Sequence, residues 1–248
     1  SGADIANVCN EAALIAARHD KKSIGRDDFM SAIDRIVGGL EKRNMPMTAS
    51  ERRATAIHEA GHAIVGHILQ PDIPVHQISI IPGNKGTGGY TMSIPTEDRS
   101  YMTVSQMKAS IAGLLGGRMA EKLILDDVST GASNDIQRAT NIARNMVTKY
   151  GMSAELGPIV FGSEHSDDEV FLGRDFSSGR NYSEQTAAKI DSEIYRIIEA
   201  EYNRAERILT EKMDKLHFIA EFLIKNEIMD EGQFKAAMET DSTMEQLE

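Results

Sequence analysis

His58-Glu59-Ala60-Gly61-His62 is an H-E-x-x-H run inside the stretch Ala56–Leu69. On an α-helix, residues four apart share one face, so His58 and His62 can grip one metal ion. Zinc takes neutral imidazole nitrogens in a tetrahedral array and, for catalysis, keeps one position for water. Glu59 directly follows the first histidine, so it can reach such a water and take its proton as general base. The flanking Ala56, Ile57, Ala60, Ala63, Ile64, Val65, Ile68 and Leu69 are apolar on nearly every side. That predicts a buried helix, in which an unpartnered Glu59 would be costly. The opposing reading is a pair of core histidines satisfied by hydrogen bonds alone.

A third ligand must come from elsewhere. His67 lies five residues past His62, and at about 100° per residue it points away from the pair. The longer H-E-x-x-H-x-x-G-x-x-H pattern is broken by Val65 and Ile68. The best candidate is Asp135. An expected helix from Asn134 to Tyr150 has an apolar stripe through Ala139, Ile142 and Met146, and counting back by four places Asp135 on it. A carboxylate on a buried stripe needs a partner, and a divalent cation is a strong one. The bland alternative is that Asp135 only complements the positive end of its helix. Glu121, on the helix expected over Thr103–Leu125, is the runner-up ligand; otherwise it supports a ligand or forms a salt bridge.

The elements that position these residues follow from periodicity and capping. Residues 1–43 read as two short helices, the first capped by Ser1 or Asp4 and the second opened by Asp27 and Asp28. Two such helices bury too little to stand alone. Residues 44–50 form a polar linker containing Pro46, and Thr48 or Ser50 can cap the H-E-x-x-H helix, which ends before Pro71. Val75–Ile81 reads as a strand, 82–89 as a glycine-rich turn, and Tyr90–Ile94 as a return strand. This hairpin either covers the helix or offers an edge to an extended peptide. Ala112-Gly113 and Gly116-Gly117 let another helix approach closely. Ser133 or Asn134 can cap the helix that carries Asp135, and Met152–Gly162 leads into a short apolar strand. His165 sits in an acidic loop, and 174–181 is rich in serine and glycine. A long amphipathic helix starts near Ser183, another covers Asp214–Lys225, and a short last helix covers Met229–Met238. Residues 241–248 read as a disordered acidic tail.

Bulk properties narrow the function class. The 248 residues carry 27 Lys and Arg against 38 Asp and Glu, a net charge of −11. That argues against nucleic acid as a partner, since phosphate binding wants a basic face. The single Cys9 excludes an internal disulfide and a multi-cysteine zinc site. No apolar run reaches the length of a membrane span.

The segment SGADIANVCNEAALIAAR, with the later DF and AIDRIVGGL runs, resembles the end of the helical lid of an AAA+ ATPase. Together with HEAGHA, it is similar to the FtsH family of membrane-anchored, ATP-dependent zinc proteases. The resemblance runs through nearly the whole chain. It implies a mainly α fold: a helical zinc-peptidase domain over 51–240 with a small β-hairpin beside the active-site helix, preceded by two AAA+ lid helices. It also implies one Zn²⁺ per chain, held by His58, His62 and Asp135, because Thr130-Gly131-Ala132-Ser133-Asn134-Asp135 matches the family segment that supplies its zinc aspartate. Glu59 is then the catalytic base, and Gly2 and Ala3 sit near the nucleotide of the full-length protein. The phosphate-cradling G-x-x-x-x-G-K-[ST] loop is absent from this chain, so ATP and Mg²⁺ belong to the longer protein. The implied partners are unfolded or membrane-protein substrates and other copies in a hexameric ring. The implied location is the cytoplasmic face of a membrane, with the anchor outside this soluble fragment. The alternative function is a non-catalytic helical assembly module with a structural metal.

Overall fold

Among the described residues, four helices open with a capping box, in which a side chain at the cap and one three residues later each bond the other's backbone N–H. In the computed structural model, which describes residues 1–38, 47–82, 88–97, 100–161, 182–240 and 243–247, Ser1 and Asp4 start α1 (Gly2–Arg18) in this way. Thr48 and Glu51 start α3 (Ala49–Leu69), and Thr103 and Gln106 start α4 (Val104–Leu125). Residues 83–87 of the turn expected over 82–89, the acidic loop with His165 and the serine-rich stretch 174–181 fall outside the described residues.

Helices α1 and α2 (Arg26–Gly38) pack on one another through Ala12, Ile15 and Ala32. The buried Asp28 accepts from the Gly25 N–H at 2.9 Å and pairs with Lys21 at 2.7 Å, which fixes the turn between them.

In the remainder, α4 is central. It packs against α3, α5 (Ser133–Thr148) and α6 (Glu184–Glu211). One core lies among α4, α5 and α6, built on Met107, Ile111, Met146 and Ile190. A second lies among α3, α7 (Met213–Asn226), α8 (Glu231–Glu239) and the sheet, built on Ile57, Ile64, Ile78, Phe222 and Phe234. The sheet has three antiparallel strands in the order β2-β1-β3: β1 is Val75–Ser79, β2 Tyr90–Ser93 and β3 Ile228–Asp230. Thr91 pairs with Ile78 across β2 and β1, and Met229 pairs with Ile78 on the other side. The fold is therefore mainly helical with a small sheet beside α3, as expected. Among the described residues no helix is long and apolar enough to cross a membrane.

Four expectations change. The last helix was expected from Met229, but Ile228–Asp230 form β3, and Asp230 then caps α8 through the Gln233 N–H. The apolar strand expected after Met152 does not form. The chain turns instead, with Gly157 at φ +73° and its N–H donating to Ser153, and leaves Ile159 and Val160 exposed. Neither Ser133 nor Asn134 caps α5, because a 3-10 turn at Thr130–Ala132 runs directly into it. Residues 244–247 of the expected disordered tail form a short helix, α9. It is held by the buried Leu247, whose carbonyl accepts from Gln233 Nε2 at 2.8 Å.

Candidate metal centre

Helices α3 and α4 meet backbone to backbone. A Cβ on Gly61 would stand 2.5 Å from the Gly116 carbonyl oxygen, and one on Gly117 would stand 2.6 Å from His62 Nε2 and 2.7 Å from His58 Nε2. Only glycine admits that approach. It brings two groups of α4 against the histidines of α3. The His58 Nδ1–H donates to Glu121 Oε1 at 2.6 Å, and the His62 Nδ1–H donates to the Gly113 carbonyl at 2.8 Å. A carboxylate and a carbonyl only accept, so each imidazole carries its proton on Nδ1. The two Nε2 atoms then face inward, 3.0 Å apart, and offer lone pairs to a metal when both rings are neutral.

Asp135 closes the third side. Its Oδ2 lies 3.5 Å from His58 Nε2 and 3.4 Å from His62 Nε2. Three acceptors converging on one point repel one another unless a cation or a proton sits among them. One ligand atom from each residue lies within 4.8 Å of the others, so the group can hold one metal ion. Two nitrogens and one carboxylate oxygen, with the outer nitrogens hydrogen-bonded, are a donor set that suits zinc.

The electrostatics follow from the same contacts. Burial works to lower the His58 pKa, but hydrogen bonds to Asp135 and Glu121 raise it to about 10. Burial works to raise Asp135, yet the two histidines hold it well below the usual carboxylate range. Glu121 is likewise held below its ordinary value, against burial, by His58 and by the Ser129 N–H at 2.7 Å. Burial pushes the Glu59 carboxyl up, opposed by the nearby histidines and by Thr91, and the Asp135 charge adds to the rise. Thr91 Oγ1 lies 2.8 Å from Glu59 Oε2.

The structure thus brings His58, His62 and Asp135 together, with Glu59 in the same electrostatic neighbourhood. Glu121, the runner-up ligand, lies on the outer side of the pair. The Glu121 carboxylate faces Nδ1, the outer nitrogen of His58, and bonds the Ser129 backbone, so it orients a ligand and braces the loop leading to Asp135. His67 packs edge-on against Phe234, with ring centroids 5.4 Å apart, and takes no part. Gly2 and Ala3 stand exposed at the start of α1. Sequence reasoning missed the Gly113 carbonyl, Ser129 and Thr91. Thr91 alone left a trace, as a polar residue on a strand expected to cover the helix.

Comparison with known proteins agrees with this geometry. The profile of Peptidase family M41 matches residues 45–237, and that of the AAA+ lid domain matches residues 1–31. ATP-dependent zinc metalloprotease FtsH 2 of Alkaliphilus metalliredigens is 52% identical over 233 residues, 94% of this chain and 33% of that protein. FtsH 1 of Thermoanaerobacter sp. is 52% identical over 235 residues, 95% of this chain and 38% of that protein. FtsH of Bacillus subtilis is 49% identical over 235 residues, 95% of this chain and 37% of that protein. The chain spans between a third and two fifths of the length of these curated relatives. With a histidine pair and an aspartate converging beside a buried glutamate, and a family match over most of its length, this chain belongs to peptidase family M41.

Proposed function

We propose that the chain is the proteolytic part of a zinc-dependent endopeptidase. One observation carries this reading: ligand atoms of His58 and His62 on α3 and of Asp135 on α5 lie within 4.8 Å of one another, and α3 also carries the buried Glu59. Zinc held there supplies a Lewis acid toward water and the scissile carbonyl. Glu59 takes a proton from the attacking water as general base. The same carboxyl can then pass that proton to the leaving amine as the C–N bond breaks. A structural metal, the alternative, gives Glu59 no role.

Strand β2 lies at the edge of the three-stranded sheet. An extended peptide adding to that edge would be held by main-chain hydrogen bonds with little dependence on side chains. That suits unfolded protein substrates. The lid match and the relatives' names support a longer, ATP-dependent machine. In that protein we place a hexameric ring at the cytoplasmic face of a membrane. Gly2 and Ala3 lie near the bound nucleotide, and ATP with Mg²⁺ drives unfolded and membrane proteins toward these sites.

Two substitutions test the site. Glu59→Gln should abolish cleavage of a short unstructured peptide and leave one zinc per chain by elemental analysis. Asp135→Asn should deplete the zinc. Full cleavage by the Glu59→Gln chain would contradict the reading.

A further inference from the structure

The β-hairpin reaches the base through Thr91. Gly89, just before β2, lies against Thr55 and Glu59 of α3, and Thr91 on β2 turns toward the same helix. A Cβ on Gly89 would meet the Ser79 carbonyl oxygen at 2.5 Å and Glu59 Cγ at 3.1 Å, so the chain passes directly against the Glu59 side chain. Thr91 Oγ1 then stands 2.8 Å from Glu59 Oε2 and 3.1 Å from the Glu59 carbonyl oxygen. A hydroxyl carries one proton, and the shorter, charge-assisted bond to the carboxylate is the stronger of the two. Among the described residues, Thr91 is the sole hydrogen-bond donor to this carboxylate. Thr91 is itself fixed, because its strand partner Ile78 is fully buried.

We propose that Thr91 is a positioning residue whose hydroxyl fixes the Glu59 carboxylate for proton abstraction. The proposal rests on the reading of Glu59 as general base. His58 takes its orientation from Glu121, His62 takes its own from the Gly113 carbonyl, and Glu59 takes its orientation from Thr91. A glutamate has three rotatable side-chain bonds and, when buried, little water to hold it. A misplacement of about 1 Å at a reacting group costs on the order of a hundredfold in rate.

The test is a pair of readouts on the full chain. The first is a stability cycle with Thr91→Val, Glu59→Ala and the double variant, each unfolded thermally in the presence of a chelator. Valine keeps the shape and strand preference of threonine and removes the hydroxyl. Thr91→Val should lower Tm by about 2–4 °C when Glu59 is present, and by under about 1 °C in the Glu59→Ala background. Equal losses in both backgrounds would overturn the proposal, because the hydroxyl would then be serving the backbone carbonyl. The second readout is steady-state cleavage of a short unstructured peptide by the zinc-loaded chain. Thr91→Val should lower kcat at least roughly tenfold with KM within about twofold, and Thr91→Ser should restore most of it. Undiminished kcat in Thr91→Val would overturn the proposal while leaving Glu59 as base. Undiminished kcat in Glu59→Gln would overturn the base assignment, and with it this proposal.

Discussion

Two helix pairs in this molecule meet in opposite ways. Helices α1 and α2 touch through Ala12, Ile15 and Ala32; their one buried charge, Asp28, is paired with Lys21 at the turn between them, and Arg35 Nη1 stands 2.7 Å from Glu11 Oε1 among the described residues. Helices α3 and α4 touch through Gly61, Gly116 and Gly117, and they bury Glu59 and Glu121 almost completely. The first pair is an ordinary apolar contact that tolerates adjustment. The second is close enough for the backbone of one helix to hold the side chains of the other. Ligand orientation is possible only there, and the cost is that the contact has no room for a methyl group.

The comparison breaks most sharply at Gly117. In Gly117→Ala the new Cβ stands among the inward nitrogens of both histidines. We expect zinc content near zero by elemental analysis, no peptide cleavage, and a loss of about 1–3 kcal/mol of stability from overpacking. An alanine on the exposed face of α1 or α2 should do none of this.

Glu121→Gln comes next. It removes the charge that orients His58 and leaves His62, held by a main-chain carbonyl, untouched. Zinc affinity should fall by about 10–100-fold with one zinc still bound at saturation, as titration with a competing chelator would show. Complete loss of binding would mean that Glu121 is a ligand after all.

A graded effect follows from pH. His58 has a folded pKa of about 10 against 6.5 unperturbed. The folded value is the higher one, so with metal stripped by chelator its contribution is complete below pH 6.5. It is lost as the pH rises toward about 10. Asp135 runs the other way: its folded value is depressed, so its contribution is present above its ordinary 3.8 and is lost in acid. Calorimetry of the chelated chain should show a plateau from about pH 4 to 6.5 and a decline on either side. Zinc affinity should rise over the alkaline range, because binding expels the His58 proton. A chelated chain equally stable at pH 6.5 and 9.5 would contradict the assignment.

The smallest effect belongs to the first helix pair. Arg35→Ala should cost about 1–2 kcal/mol by thermal unfolding, because it leaves the mostly buried Glu11 carboxylate unpaired, with zinc content unchanged.

Much of this was legible in the sequence because its signals are local. The His58–His62 pair needs only helical spacing, Asp135 is a candidate on the stripe of its own helix that the resemblance of Thr130–Asp135 to the family segment singles out, and the capping boxes at Thr48 and Thr103 mark their helix starts within four residues. What was illegible depends on contacts distant in the chain. Glu121 reads as a ligand candidate until its partner, 63 residues away, proves to be the outer nitrogen of His58. The Gly113 carbonyl leaves no mark, since every residue has one. Ile228–Asp230 is too short to show a period, and Asp230 advertises the helix it caps, so the helix signal hides the strand. The apolar run near Val160 misleads for the converse reason: its composition suits a strand, but after the turn at Gly157 its described residues join no sheet, and Phe161 N–H bonds the Thr148 carbonyl at the end of α5 instead.

Anomalous scattering at the zinc edge, from crystals of the zinc-loaded chain, tests the centre most directly. We expect one peak per chain, bounded by Nε2 of His58, Nε2 of His62 and the carboxylate of Asp135, with Glu121 bonded to His58 Nδ1. A peak coordinated by Glu121, or one that leaves Asp135 facing solvent, would contradict this ligand set.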